Sequence, residues 1–218
     1  MESMNFKKAI IFDFDYTLGD SSSGIHDCIN HGLTKLGFSP VTYEKSCEAI
    51  GKSLPDTLVH FTGEENRVKS DEFYKYFMEK AMEVMVQKCI IYPEVEETLE
   101  YLTSKGLKLA IASTKHRHRI IAILSKYGLL EYFSVIVGGE DVQRHKPDPS
   151  VFLQVFDLLR LEPSDCIYIG DNIIDAQAAA RARVDFIAVL TGVTSLEEFY
   201  KYPKIKVISS LSELRTVI

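Results

Sequence analysis

The stretch Ile10-Ile11-Phe12-Asp13-Phe14-Asp15-Tyr16-Thr17-Leu18 runs from an apolar segment into two aspartates spaced i, i+2, with a threonine close behind. A short, nearly continuous apolar run starting at Ala9 is what a strand buried on both faces requires. If the chain stays extended through this run, alternation points Asp13 and Asp15 the same way. Two carboxylates at the end of a buried strand repel each other unless a cation sits between them or one keeps a proton. Both solutions have chemical use. The cation is a Lewis acid, and a protonated carboxyl beside an ionised one places an acid next to a nucleophile. Taken alone, a pair of turn aspartates after a core strand is an equally good reading.

Further apolar runs lie at residues 107–112, 134–137, 166–169 and 186–190, with a weaker one at 206–208. Helical patterns separate them, at 95–105, 117–127, 150–159, 174–183 and 196–202. Gly106 and Gly128 follow helical runs, while Pro93 and Pro149 open them. Strands alternating with helices at this spacing predict βαβ units, and so an α/β core with a doubly wound parallel sheet. Residues 20–90 break the alternation. They carry helical patterns at 24–36, 43–50, 54–60 and 66–87 and no convincing strand. A gap of that size needs structure of its own. The expected organisation is a core domain from residues 1–18 and 91–218, with an inserted helical domain at 19–90 on two tethers. Tethers at a sheet's carboxyl edge would set the insert over the region where open α/β sheets bind ligands.

The bulk numbers narrow the function. A chain of 218 residues, 46% apolar and 26% charged, is an ordinary globule with one core and an insertion. The net charge of −6 argues against nucleic acid as a partner, because an acidic surface repels a phosphate backbone. No apolar run approaches membrane-spanning length, and residues 1–5 do not read as a secretory signal. Cys28, Cys47, Cys89 and Cys166 are scattered, as reduced thiols of a cytoplasmic protein would be, and lack the clustering of a zinc site.

Three other elements fall at predicted strand ends. Ser113-Thr114 follows the run at 107–112, Lys146 lies in His145-Lys146-Pro147-Asp148-Pro149 ahead of a helix, and Gly170-Asp171-Asn172-Ile173-Ile174-Asp175 follows the run at 166–169. Each has a plain reading: a helix N-cap, a solvated lysine, a turn. Together with Asp13, Asp15 and Thr17 they bring a nucleophile, an acid, hydroxyls, a cation and further carboxylates to one edge of a sheet.

This constellation resembles the haloacid-dehalogenase superfamily, in the branch of the phosphoglycolate phosphatase and β-phosphoglucomutase type. The resemblance implies a Rossmann-like core, a helical cap inserted after the first strand, and Mg²⁺-dependent phosphoryl transfer through an aspartyl-phosphate. On that resemblance Asp13 is the nucleophile and Asp15 the general acid and base, its backbone carbonyl on the metal. Ser113 holds a phosphoryl oxygen, Lys146 offsets charge on Asp13 and phosphate, and Asp171 and Asp175 complete the metal site. Thr17, Thr114 and Lys52 are the expected substrate contacts, Lys52 in a loop of the helical insert. The aspartate at position 15 points to phosphate rather than dehalogenase chemistry. Departures are Tyr16, where relatives mostly carry glycine, Thr114 in place of a frequent Asn, and Asn172 in place of a frequent Ser or Thr. His116-Arg117-His118-Arg119 is also unusually basic for a helix start, where cations oppose the dipole. The implied activity is a phosphatase acting on a small phosphorylated metabolite, as a monomer or weak homodimer. A sugar-phosphate mutase and a non-catalytic phospho-accepting switch are the alternatives.

Overall fold

The computed structural model describes residues 7–218, so the signal-peptide reading of residues 1–5 falls outside the described residues. In chain order, β1 (Ala9–Phe12) is followed by the short β2 (Gly19–Asp20) and four helices, α1 (Ser22–Lys35), α2 (Tyr43–Cys47), α3 (Leu54–Thr62) and α4 (Ser70–Lys88). After β3 (Ile90–Ile91), helices and strands alternate: α5 (Val95–Ser104), β4 (Lys108–Ala112), α6 (Arg117–Lys126), β5 (Phe133–Val137), α7 (Ser150–Leu159) and β6 (Cys166–Gly170). The chain ends with α8 (Ile173–Ala182), β7 (Asp185–Val189), α9 (Leu196–Phe199), β8 (Lys206–Ile208) and α10 (Leu214–Val217). Two compact units result. One takes the chain up to Gly19 and again from Ile91 to Ile218, the other spans Asp20–Ile90.

The first unit is built on a six-stranded sheet in the order β5-β4-β1-β6-β7-β8, every pairing parallel. All four residues of β1 are buried, because helices cover both faces of such a sheet. Ile11 stands opposite Ala110 on one side and Tyr168 on the other. After β1 the chain builds outward first to one edge and then to the other, so β1 marks the switch point of the sheet. At such a point the carboxyl ends leave a crevice for a ligand. The core beneath it gathers small and aromatic side chains, with the Phe152 and Tyr168 rings edge to face at 4.5 Å.

The second unit is helical. In α4, Phe73, Phe77, Ala81 and Met85 form one buried stripe at helical spacing, while Tyr74 is exposed. Gly32 of α1 lets the Phe73 ring approach, since a Cβ there would lie 2.7 Å from it. Among the described residues, no helix is long and apolar enough to cross a membrane.

Several boundaries differ from the expected ones. The helix expected over 66–87 is a 3-10 segment, Glu64–Lys69, followed by α4; the helices expected to reach 50 and 202 stop at Cys47 and Phe199. More consequential is the end of β1 at Phe12. Asp13 N–H still bonds the Ile169 carbonyl at 2.9 Å, but the chain then coils, with the Leu18 N–H on the Phe14 carbonyl at 2.9 Å. Tyr16 is left-handed there, with φ of 60°. The two aspartates are therefore not placed by strand alternation.

Candidate active site

Three adjacent strands end in functional side chains. Asp13 follows β1, Ser113 follows β4, and Asp171 follows β6, all with buried side chains. Lys146 enters from the segment ahead of α7 and is also buried. Its Nζ lies 3.0 Å from Asp13 Oδ1 and 2.6 Å from Asp175 Oδ1, and it donates to the Tyr168 hydroxyl at 2.9 Å. Tyr168 in turn donates to Asp175 Oδ1 at 2.7 Å. Asp175 sits in the first turn of α8 because its other oxygen accepts the Asn172 N–H at 3.0 Å, half of a capping box.

Asp13, Asp171 and Asp175 each offer an oxygen within 4.8 Å of the others. Three buried carboxylates face one ammonium, which leaves excess negative charge in a low-dielectric pocket. Burial, reinforced by Asp175 and Asp15, pushes Asp13 up to about 6 against the pull of Lys146 and the Ser113 hydrogen bond. Asp171 is raised well above the ordinary carboxylate range by burial and by the Asp175 and Asp13 charges. Burial opposes the charge on Lys146, yet Asp13 and Asp175 outweigh it and hold the ammonium firmly protonated. Burial and the neighbouring carboxylates keep the Tyr168 phenol neutral, so it serves as a donor. Asp13 Oδ1 makes no aligned hydrogen bond despite being buried. A divalent cation would balance this cluster and satisfy that oxygen, and all-oxygen ligands suit a hard ion.

Asp15 is set apart. It pairs with the buried Lys115 at 2.8 Å, and that ammonium lies 5.4 Å from the Phe14 ring. Each aspartate thus has its own lysine, Lys146 for Asp13 and Lys115 for Asp15. Thr17, expected to contact substrate, is fully buried and donates to Asp171 Oδ1 at 3.2 Å. Thr114 lies in the loop between Ser113 and Lys115, and Lys52 belongs to the helical unit, where its Nζ donates to the Glu48 carbonyl at 2.9 Å.

Sequence reasoning missed Lys115, Tyr168 and Gly192. Lys115 lies two residues past Ser113 in the same strand-end loop, a position that could have flagged it. Tyr168 interrupts an otherwise aliphatic strand, a weak signal for a polar task. A Cβ on Gly170 would meet the Asp175 carboxyl at 2.6 Å, and one on Gly192 would lie 2.0 Å from Asp171 Oδ2. Nothing in sequence marks Gly192, which lies 21 positions beyond Asp171.

Carboxylates, a hydroxyl and buried ammonium groups at the switch point of a parallel sheet define an α/β enzyme built for phosphate-type chemistry. Comparison with known proteins agrees. Residues 10–189 match the model of the haloacid dehalogenase-like hydrolase family. A phosphoglycolate phosphatase from Psychrobacter arcticus is 30% identical over 194 residues, covering 85% of this chain and 84% of that protein. One from Aquifex aeolicus is 32% identical over 189 residues, covering 87% of each. A crystal structure from Bacteroides fragilis, described as a haloacid dehalogenase-like hydrolase, superposes with a TM-score of 0.92 at 37% identity, over 95% of this chain and 99% of that one. The chain belongs to the haloacid dehalogenase-like hydrolase family, and its enzymatic class is that of the family's phosphatases.

Proposed function

We propose that this protein is a Mg²⁺-dependent phosphatase that hydrolyses a small phosphorylated metabolite through a phosphorylated Asp13, in the manner of a phosphoglycolate phosphatase. The observation that carries the reading is the buried cluster of Asp13, Asp171 and Asp175 around Lys146, with one more negative charge than a single ammonium and a proton can balance. Asp13, Asp171 and Asp175, with the Asp15 carbonyl, would hold the ion. When bound, Mg²⁺ screens the repulsion between a carboxylate nucleophile and a dianionic ester.

The chain's own residues supply the rest. An Asp13 carboxylate oxygen attacks phosphorus, the ester P–O bond breaks, and the leaving oxygen takes a proton from Asp15. Asp15, now a carboxylate, removes a proton from water. The water oxygen attacks phosphorus, and the bond to Asp13 breaks to release inorganic phosphate. Lys115, paired with Asp15 at 2.8 Å, would hold its carboxyl in place for both steps. Ser113 and Thr114 would donate to phosphoryl oxygens, and Lys146 would offset their charge. Thr17 would hold Asp171 in place.

The helical unit at 20–90 is the proposed cap, with Lys52 meeting a second anionic group of the substrate. A cytoplasmic location and a monomer or weak homodimer complete the reading. The test is a panel of phosphorylated metabolites, including 2-phosphoglycolate, assayed for phosphate release with and without Mg²⁺, and repeated for Asp13→Asn. Mg²⁺-dependent release, lost in the variant, is the expected result. Turnover surviving in Asp13→Asn would remove Asp13 as the attacking group.

A further inference from the structure

The basic run at the start of α6 has a partner that its sequence does not announce. The 3-10 segment Gly139–Asp141 packs against the loop from β4 to α6, and two glycines make the approach possible. A Cβ on Gly138 would lie 2.4 Å from the Arg117 nitrogen, and one on Gly139 would lie 2.3 Å from the Thr114 carbonyl oxygen. The Gly139 N–H bonds the Lys115 carbonyl at 3.0 Å, fastening the two backbones together. This contact delivers Glu140 to His116 and His118.

The three side chains converge. His116 Nδ1 lies 3.7 Å from Glu140 Oε2, and His118 Nδ1 lies 3.7 Å from Glu140 Oε1. The two imidazoles meet edge to face at 5.5 Å. Each group offers a ligand atom, all within 4.8 Å of one another. At 3.7 Å these are not hydrogen bonds. They are close to the separations that donors adopt around an ion bound at about 2.1 Å in tetrahedral geometry. Glu140 is already oriented, because its Oε2 accepts the Arg117 N–H at 2.9 Å. The Arg117 guanidinium is engaged elsewhere, with Asp141 at 3.2 Å. The His118 side chain is 62% exposed and that of His116 18%, so an ion can enter from solvent and water can fill the remaining position.

We propose that His116, His118 and Glu140 form a second metal site, specific for a divalent transition ion of the zinc type. Two imidazole nitrogens and one carboxylate suit Zn²⁺, whereas Mg²⁺ demands oxygen ligands in octahedral array. The set shares no residue with the carboxylate cluster, and the site stands whether or not the phosphatase reading does. The buried Arg119, whose charge bears on His116, opposes a dication and weakens its binding. Its ligands join the α6 start to the segment after β5, so occupation tightens the loop that carries Ser113 and Lys115.

The test is calorimetric titration of Zn²⁺ into the full chain in millimolar Mg²⁺, comparing wild type with His118→Ala, Glu140→Gln and Asp171→Asn. Wild type and Asp171→Asn should bind one Zn²⁺ that Mg²⁺ does not displace, and His118→Ala and Glu140→Gln should each bind it at least tenfold more weakly. Circular dichroism establishes that each variant is folded. Co²⁺ bound to the wild type should show d–d absorption of low coordination number with no thiolate charge-transfer band. Equal Zn²⁺ affinity in all four proteins, loss in Asp171→Asn alone, or a thiolate band with Co²⁺ would overturn the proposal.

Discussion

At Asp13, burial and charge pull against each other. Its oxygen is 3.0 Å from Lys146, yet the Lys146 ammonium is closer still to Asp175, and desolvation raises the Asp13 carboxyl to about 6. Holding it ionised at pH 7.5 without metal therefore costs on the order of 3 kcal/mol. Asp13→Asn should raise stability in metal-free urea titrations by about 1–3 kcal/mol while lowering kcat at least about a thousandfold. A variant less stable than wild type in metal-free buffer would mean that Lys146 already compensates the charge. Tyr168 has the opposite character. Its hydroxyl donates to Asp175 and accepts from Lys146, so Tyr168→Phe leaves both under-satisfied. We expect about 1–3 kcal/mol lost by denaturant unfolding, with activity reduced far less than in Asp13→Asn.

At the scale of elements, strand ends set the site. β1, β4 and β6 stop side by side, and their next residues are Asp13, Ser113 and Asp171. The loop after β7 closes over Asp171 at Gly192, and the Thr191 hydroxyl donates to the Tyr16 carbonyl. Gly192→Ala should drive Asp171 off its position while leaving the sheet intact. The expected outcome is an unchanged far-ultraviolet dichroism spectrum, a kcat lower by at least about tenfold, and half-activation at a higher Mg²⁺ concentration. Wild-type kcat in this variant would show that Asp171 has room to move. The strand and helix order was legible in sequence, because the buried strands are unbroken apolar runs and turn residues separate them. The boundaries were less so. β1 ends at Phe12 although Phe14 is equally apolar, since the Asp13–Leu18 turn, not hydrophobicity, ends the pairing. Helix 66–87 begins late because its first turn closes as a 3-10 segment.

For the whole molecule, the buried carboxylates link folding to protons and, on the proposed reading, to metal. Asp13 has a folded value of about 6 against an ordinary 3.8. Its contribution favours the folded state below about pH 4 and is lost as pH rises through about 6; Asp171, raised in the same direction, adds to the trend. The metal-free stability of wild type relative to Asp13→Asn should therefore fall between about pH 4 and pH 6.5. Mg²⁺ held by these carboxylates, as proposed, would have to displace those protons, so its stabilisation should be absent at pH 4.5 and grow towards pH 7. Melting temperatures with and without Mg²⁺ across that range measure both effects. A Mg²⁺ increment independent of pH would contradict the reading of these carboxylates as its ligands.

Local information was enough for the α/β class, the helical insert, and the aspartates, serine and lysine that crowd the sheet edge, because each is written in residue type and spacing along a few consecutive positions. Tertiary structure decided the pairings that no motif announced. Beside the Lys146–Asp13 pair that the family resemblance implied, it assigned Lys146 to Asp175, Lys115 to Asp15, Thr17 to Asp171, and Glu140 to the two histidines. Those partners are separated by up to 154 positions in the chain. Electrostatic and hydrogen-bond energies depend on distance in space, and pattern along a chain carries no measure of that distance until the strands are laid side by side.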